Sequence, residues 1–292
     1  MSATTLLWRA GPAFLGIAVF ISVSVAALYL SVGQMGGSLE FYAWRFFAGK
    51  AHGGHLAKVD NVSIYYETYG AGPPVLVLHG GLGSHEDMRN QIRALANSHL
   101  VIAPDSRGQG RSTDSSMPLT YSAMADDIVQ LLDHLQIDRV DVVGWSDGGI
   151  IGLDLAMRYS DRVRRLIAIS ANYDPTGIPQ SPTVQLSVPR TPIRYRLLAK
   201  DPAYWPVIYR KVTEMWRTQP NYSLDDLGQI KAPTIIMAGE FDLIKREHTA
   251  QLAKAISRSQ EIIVRGATHA VPTDKPNVVD EIIVSFFEVS HS

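Results

Sequence analysis

Residues 140–149 read Val-Asp-Val-Val-Gly-Trp-Ser-Asp-Gly-Gly, and the fold turns on them. Val140 to Val143, three valines around Asp141, is a short run of the kind that forms a buried strand. Gly148 to Tyr159 continues as a helical pattern. A Gly-x-Ser-x-Gly sequence between strand and helix puts its serine on a tight, strained turn, exposed for reaction. Gly144 and Gly148 are needed because a side chain at either would collide with neighbouring strand and helix backbones. The following helix directs amide N–H groups at the turn, which favours negative charge as it develops. The bland alternative is a serine N-cap on an ordinary helix; the strand–turn–helix context argues against it.

Outward from this turn the chain alternates strand and helix. Val62 to Glu67, Pro74 to Leu78, His99 to Ala103, Leu166 to Ile169, Pro233 to Ala238 and Glu261 to Val264 read as strands. His85 to Ala96, Tyr121 to Leu135, the stretch around His248 to Ile256, and Asn277 to Phe287 read as helices. Thr120 is placed to cap the second of these. The alternation predicts an α/β fold, a mostly parallel sheet with helices on both faces. Pro175 to about Asp226 interrupts it with prolines and then Tyr195, Tyr204, Trp205, Tyr209, Trp216 and Tyr222. A span that long between two strands reads as a small helical insertion. It leaves from the C-terminal end of a strand, where open α/β sheets bind ligands, and so reads as a cap over the site.

Length and composition narrow the function classes. The chain has 292 residues, of which 46% are hydrophobic and 19% charged, so it can bury a core and is not a disordered chain. Lys+Arg is 27 and Asp+Glu 28, for a net charge of −1. No basic excess exists to hold a nucleic acid. Cysteine is absent, which excludes disulfides, thiolate metal sites and a cysteine nucleophile. No His-Glu-x-x-His sequence or phosphate loop occurs, so neither a metal nor another cofactor is expected.

Residues 1–50 pose a separate question. No charged side chain occurs between Arg9 and Glu40, and Phe14 to Val32 is almost wholly apolar. As a helix it would span about 28 Å, close to the hydrocarbon thickness of a bilayer. Phe41, Tyr42, Trp44, Arg45, Phe46 and Phe47 follow, a mixture that suits the membrane interface. The expectation is a single-pass N-terminal anchor with the large domain outside the cytoplasm. A cleaved signal peptide ending near Gly33, giving a secreted protein, and a buried core helix are the alternatives.

The serine needs a base and the base an orienting carboxylate. His269, in Gly266-Ala267-Thr268-His269, follows a strand at the same sheet edge as Ser146. His248 and His134 fall within helical patterns and read as structural. Asp242 follows strand Pro233 to Ala238; Glu240 is its nearest rival and Asp274 a weaker one. An oxyanion needs preorganised donors. The amide of Asp147 is one, and Gly81, in His79-Gly80-Gly81-Leu82-Gly83, is the choice for the other, with Leu82 the fallback. Trp145 and Leu82 flank these positions as substrate contacts. His79 reads as a brace for its loop. The Asp147 side chain reads either as a first-turn acid matching the helix dipole or as an attractor for a cationic substrate group.

With these residues in hand, the chain resembles the α/β-hydrolase-fold serine hydrolases. The carrying motifs are His79-Gly80-Gly81, Asp105-Ser106-Arg107-Gly108-Gln109-Gly110-Arg111-Ser112, Gly144 to Gly149, Gly239 to Asp242 and Gly266 to His269, in family order across residues 56 to 290. The Gly-Trp-Ser-Asp-Gly-Gly turn is similar to that of biphenyl-hydrolase-like and valacyclovir-hydrolase-like esterases. The resemblance implies a domain over 55–290 with a cap at about 175–226, and it makes Arg107 and Arg111 parts of a structural turn. Serine at 146 disfavours the haloalkane and epoxide chemistry of relatives with an aspartate nucleophile. The expected activity is cleavage of a small or medium carboxylic ester-type substrate by Ser146, His269 and Asp242 through an acyl-enzyme. Alternatives on the same fold are C–C bond or lactone hydrolysis, acyl transfer and perhydrolysis; a non-catalytic, membrane-tethered binding protein is the rival of another class.

Overall fold

A computed structural model describes residues 40–44, 46, 51–179 and 193–288. The chain divides after Gly49, and the larger unit spans Lys50–Ser292. In the smaller unit, residues 40–44 and 46 are helical. The apolar run 14–32, expected to be a membrane anchor, lies outside the described residues. Among those described, no helix is long and apolar enough to cross a membrane.

The larger unit is built on an eight-stranded sheet. Its strands are β1 (Ala51–Val59), β2 (Val62–Tyr69), β3 (Pro74–Leu78), β4 (Leu100–Pro104), β5 (Val140–Trp145), β6 (Val163–Ile169), β7 (Thr234–Phe241) and β8 (Ser259–Thr268). The order is β1-β2-β4-β3-β5-β6-β7-β8. β2 pairs antiparallel with β1 and with β4, and all other pairs are parallel. The helices are α1 (Arg89–Leu95), α2 (Tyr121–His134), α3 (Asp147–Arg158), α4 (Ile193–Leu198), α5 (Trp205–Thr218), α6 (Leu224–Leu227), α7 (Arg246–Ala255), α8 (Val271–Asp274) and α9 (Pro276–Glu288).

Two-residue periodicity gives the central strands two buried faces. Leu76, Leu78, Ile102, Val142 and Ile236 join the apolar residues of α2 and α3 in one cluster. Their neighbours Val75, Val77, Val101, Val143 and Ile235 are equally buried and face the other way. Helix α2 begins where expected, with Thr120 Oγ1 accepting from the Ala123 amide at 3.0 Å. The expected helix from His85 is instead a 3-10 turn, His85–Met88, running into α1. β1 starts at Ala51, before the predicted boundary at 55. Among its described side chains only Ala57 and Val59 are buried, so its sequence carries little of the apolar alternation that reveals an edge strand.

The insertion between β6 and β7 is helical where it is described, comprising α4, α5, α6 and short 3-10 turns at Pro175–Gly177 and Pro202–Tyr204. Polar ties hold it to the sheet domain. Lys211 Nζ and Tyr204 Oη both donate to Asp114, at 2.6 and 2.8 Å. Tyr222 Oη donates to Asp154 of α3 at 2.8 Å. All three sit at buried or half-buried positions, where an unmet partner would be costly.

Candidate active site

Ser146 stands between β5 and α3 with φ 55° and ψ −120°. A left-handed φ on a residue with a side chain costs about 1–3 kcal/mol and persists only where its surroundings fix it. Here Ser146 N–H donates to the Ile169 carbonyl at 2.8 Å, and its own carbonyl accepts from Ile150 at 3.0 Å. The glycines around it have no room for more. A Cβ at Gly144 would fall on the Gly148 carbonyl, and one at Gly148 on the Leu78 carbonyl. The backbones of β3, β5 and α3 are thus packed tightly enough to hold the serine in its unfavourable conformation.

Asp242 and His269 follow β7 and β8, and the sheet brings both to Ser146. His269 Nε2 lies 3.0 Å from Ser146 Oγ, and His269 Nδ1 lies 2.8 Å from Asp242 Oδ1. A carboxylate can only accept, so Nδ1 carries the hydrogen and Nε2 is left to accept from the serine hydroxyl. Asp242 is almost wholly buried. Its Oδ1 also accepts from Ile244 N–H at 3.0 Å, and its Oδ2 from Ser170 Oγ at 2.5 Å and Gly239 N–H at 3.3 Å. Burial alone would raise this carboxyl; the hydrogen bond and charge of His269, with the Ile244 and Ser170 donors, hold it below the ordinary carboxylate range.

The rivals for Asp242 are placed elsewhere. Glu240 accepts from Gly266 N–H, and Asp274 from Thr268 N–H and Oγ1. Both brace the turn that carries His269. Trp145 adds a tie of its own, its indole N–H donating to the His269 carbonyl at 2.7 Å. It therefore links the β5 end to the histidine loop as well as lining the cavity.

His79 is buried and braces its loop. Its Nε2 accepts from Ser106 N–H at 2.9 Å, which leaves Nδ1 to donate to the Gly80 carbonyl at 2.7 Å. Burial depresses its basicity and keeps it neutral. Gly80, Gly81 and Leu82 then run along the cavity opposite Ser146 and Asp147. Leu82 is itself left-handed, at φ 58°. A Cβ at Gly81 would strike the Asp147 carboxylate and the Trp216 ring. The cavity is about 310 Å³. Ile178, Trp216 and Gln219 reach it from the insertion, and Leu243 and Ile244 from the segment after β7.

A model of the family described as alpha/beta hydrolase fold matches residues 73–203. The strand order and this match together give the chain the alpha/beta hydrolase fold. It is 28% identical over 262 residues, 81% of this chain and 97% of the other, to the RutD protein of Azorhizobium caulinodans, which is named as a carbamate hydrolase. Among solved structures, the enol-lactonase of Burkholderia xenovorans LB400 superposes with a TM-score of 0.66 at 20% identity, over 80% of this chain and 100% of that one. Est816, described as an N-acyl homoserine lactone degrading enzyme, does so at 0.67 and 25% identity, over 80% and 100%.

Within the α/β-hydrolase fold, the turn 105–112 is structural here. Arg107 is buried against Asp127 of α2, with Nε 2.6 Å from Oδ2. Arg111 pairs with Glu86 at 2.8 Å. Neither lines the cavity. His248 stacks on Tyr173 at 3.9 Å and accepts from its amide, a packing role. Sequence reasoning missed Ser170, which follows β6 at φ 52° with its hydroxyl on Asp242. The available signal was a polar residue just past the strand next to β5. It also missed the partners of the Asp147 side chain, Tyr121 and Trp216, which lie 26 and 69 residues away.

Proposed function

We propose that this chain is a serine hydrolase acting on a small or medium carboxylic ester-type substrate. The observation that carries the reading is the hydrogen-bonded chain from Asp242 through His269 to Ser146. His269 Nε2 takes the hydroxyl proton as Ser146 Oγ attacks the acyl carbon. Asp242 fixes the tautomer and stabilises the imidazolium that forms. The amides of Gly81 and Asp147 receive the oxyanion. The imidazolium returns its proton to the leaving group as the acyl-enzyme forms. A water deprotonated by His269 then releases the acid and restores the serine. Trp145 and Leu82, which line the cavity, serve as substrate contacts.

The relatives named for carbamate and lactone cleavage support acyl transfer to water as the reaction class. The cavity volume suits an acyl group of modest size. A fluorophosphonate probe tests the reading: a single adduct on Ser146, abolished by heat denaturation and by Ser146→Ala, is expected. Absence of an adduct in folded protein would sink it. We also infer from the apolar run at 14–32 and the aromatic-basic stretch after it that the N-terminus tethers the enzyme to a membrane, with the catalytic domain outside the cytoplasm. Retention in the pellet after alkaline extraction, lost on deleting residues 1–39, is the expected result.

A further inference from the structure

Asp147 follows the nucleophile, and the hydrolytic reading uses only its main-chain N–H. The residue is 3% exposed and lines the cavity together with Ser146 and His269. Tyr121 Oη donates to Oδ1 at 3.0 Å, and Trp216 Nε1 to Oδ1 and Oδ2 at 2.8 and 3.0 Å. Both donors are neutral. Direct capture of a substrate cation would have to displace them. The groups around the carboxylate are Tyr121 of α2, Trp216 of α5, Gly81 of the loop after β3, and His269. Of these only His269 can become a cation, and it is engaged with Asp242 and Ser146. Among the described residues, no lysine or arginine lines the cavity. The carboxylate therefore presents an unneutralised charge to a small, largely apolar space, where it is screened far less than in water.

We propose that Asp147 is a specificity determinant acting through its charge: it excludes acyl groups that bear a free carboxylate and leaves the pocket to neutral ones. This rests on the hydrolytic reading with Ser146 as nucleophile. A second anion in the same cavity meets like-charge repulsion and finds no cation among the described lining residues to offset its desolvation. The discrimination is tunable by acid. Burial pushes the Asp147 carboxyl up to about 6, against the hydrogen bonds of Tyr121 and Trp216 and the charge of His269. Protonation removes the repelling charge while leaving the shape of the pocket intact.

The test compares two nitrophenyl esters of equal acyl length, one ending in a carboxamide and the other in a carboxylate. The two ends are isosteric, so charge is the main difference. The full chain is used, and fluorophosphonate titration first counts its reactive serines. At about pH 8 the carboxamide ester should have at least about a tenfold advantage in kcat/KM. The advantage should shrink to about threefold or less near pH 5, where the substrate carboxylate is still mostly ionised. Both esters are assayed at each pH and only their ratio is compared. Asp147→Asn, which keeps the main-chain donor, should reduce the ratio at about pH 8 to the acid value. A ratio near one in the wild type at about pH 8 overturns the proposal. So does a large ratio that neither acid nor Asp147→Asn changes. Should the variant fail to fold, the wild-type pH series decides alone. An unlabelled Ser146 would instead overturn the hydrolytic reading on which the proposal stands.

Discussion

Two buried carboxylates stand either side of Ser146, and they are held in opposite ways. Asp242 receives His269, Ser170 and two main-chain amides. Asp147 receives a phenol and an indole. Burial raises both, yet Asp242 ends below the ordinary carboxylate range and Asp147 at about 6. The difference lies in the partners. An imidazole can carry the positive charge that stabilises an anion next to it, whereas Tyr121 and Trp216 offer only dipoles. Nearness to the nucleophile therefore does not decide what an acid does there. On the proposed reading, two carboxyl groups driven apart in this way take separate tasks, one ordering the base and the other shaping the field seen by the substrate.

The comparison can be broken most completely at its centre. Ser146→Ala should lower kcat on an activated ester by about ten-thousandfold or more, measured with pre-steady-state correction for trace wild type. On the Asp242 side, Asp242→Asn should cost about a thousandfold or more, because the amide can donate to His269 Nδ1 and stabilise the wrong tautomer. On the other side the expected effect is on stability. Between its ordinary value of 3.8 and about 6, Asp147 keeps a proton in the folded protein that the unfolded chain has released. Stability from this group is thus present at low pH and lost as pH rises through that window. Asp147→Asn removes the titration, so its urea-unfolding free energy relative to wild type should climb by roughly 2–3 kcal/mol from about pH 4 to above pH 6. A flat difference would show that burial does not penalise this charge.

Smaller changes sharpen the contrast. Ser170→Ala removes one donor from Asp242 and should lower kcat about tenfold while leaving KM nearly unchanged, since Ser170 acts through Asp242 and not on substrate. Tyr121→Phe removes a donor from Asp147. The pH at which the carboxamide-over-carboxylate preference fades should rise by about half a unit. A shift to lower pH would mean the phenol does not hold the anion.

How much of this was legible in the sequence depended on how local the cause was. The limits of β3 follow directly from Pro74 to Leu78, because a central strand is apolar on both faces. The Ser146 turn and the placement of Asp242 and His269 follow from motifs at strand ends. β1 was not legible, since its two glycines and exposed Leu56 break the alternation that marks a strand. Glu240 and Asp242 were hard to rank because they lie two positions apart, where a continuing strand would put both on one face; the chain leaves β7 after Phe241, and that turn sends Asp242 to the histidine while Glu240 meets Gly266. Asp147 could be read as a helix-dipole partner, but its donors come from α2 and from the insertion. No window of sequence contains them.

The backbone torsion at Ser146 has a consequence for the history of such a chain. Glycine would relax the turn that serine strains, so the simplest inactivating change at this position also lightens the load on the fold. A population no longer exposed to its substrate would meet no structural resistance to losing the reaction, and inert, well-folded descendants should be easy to reach.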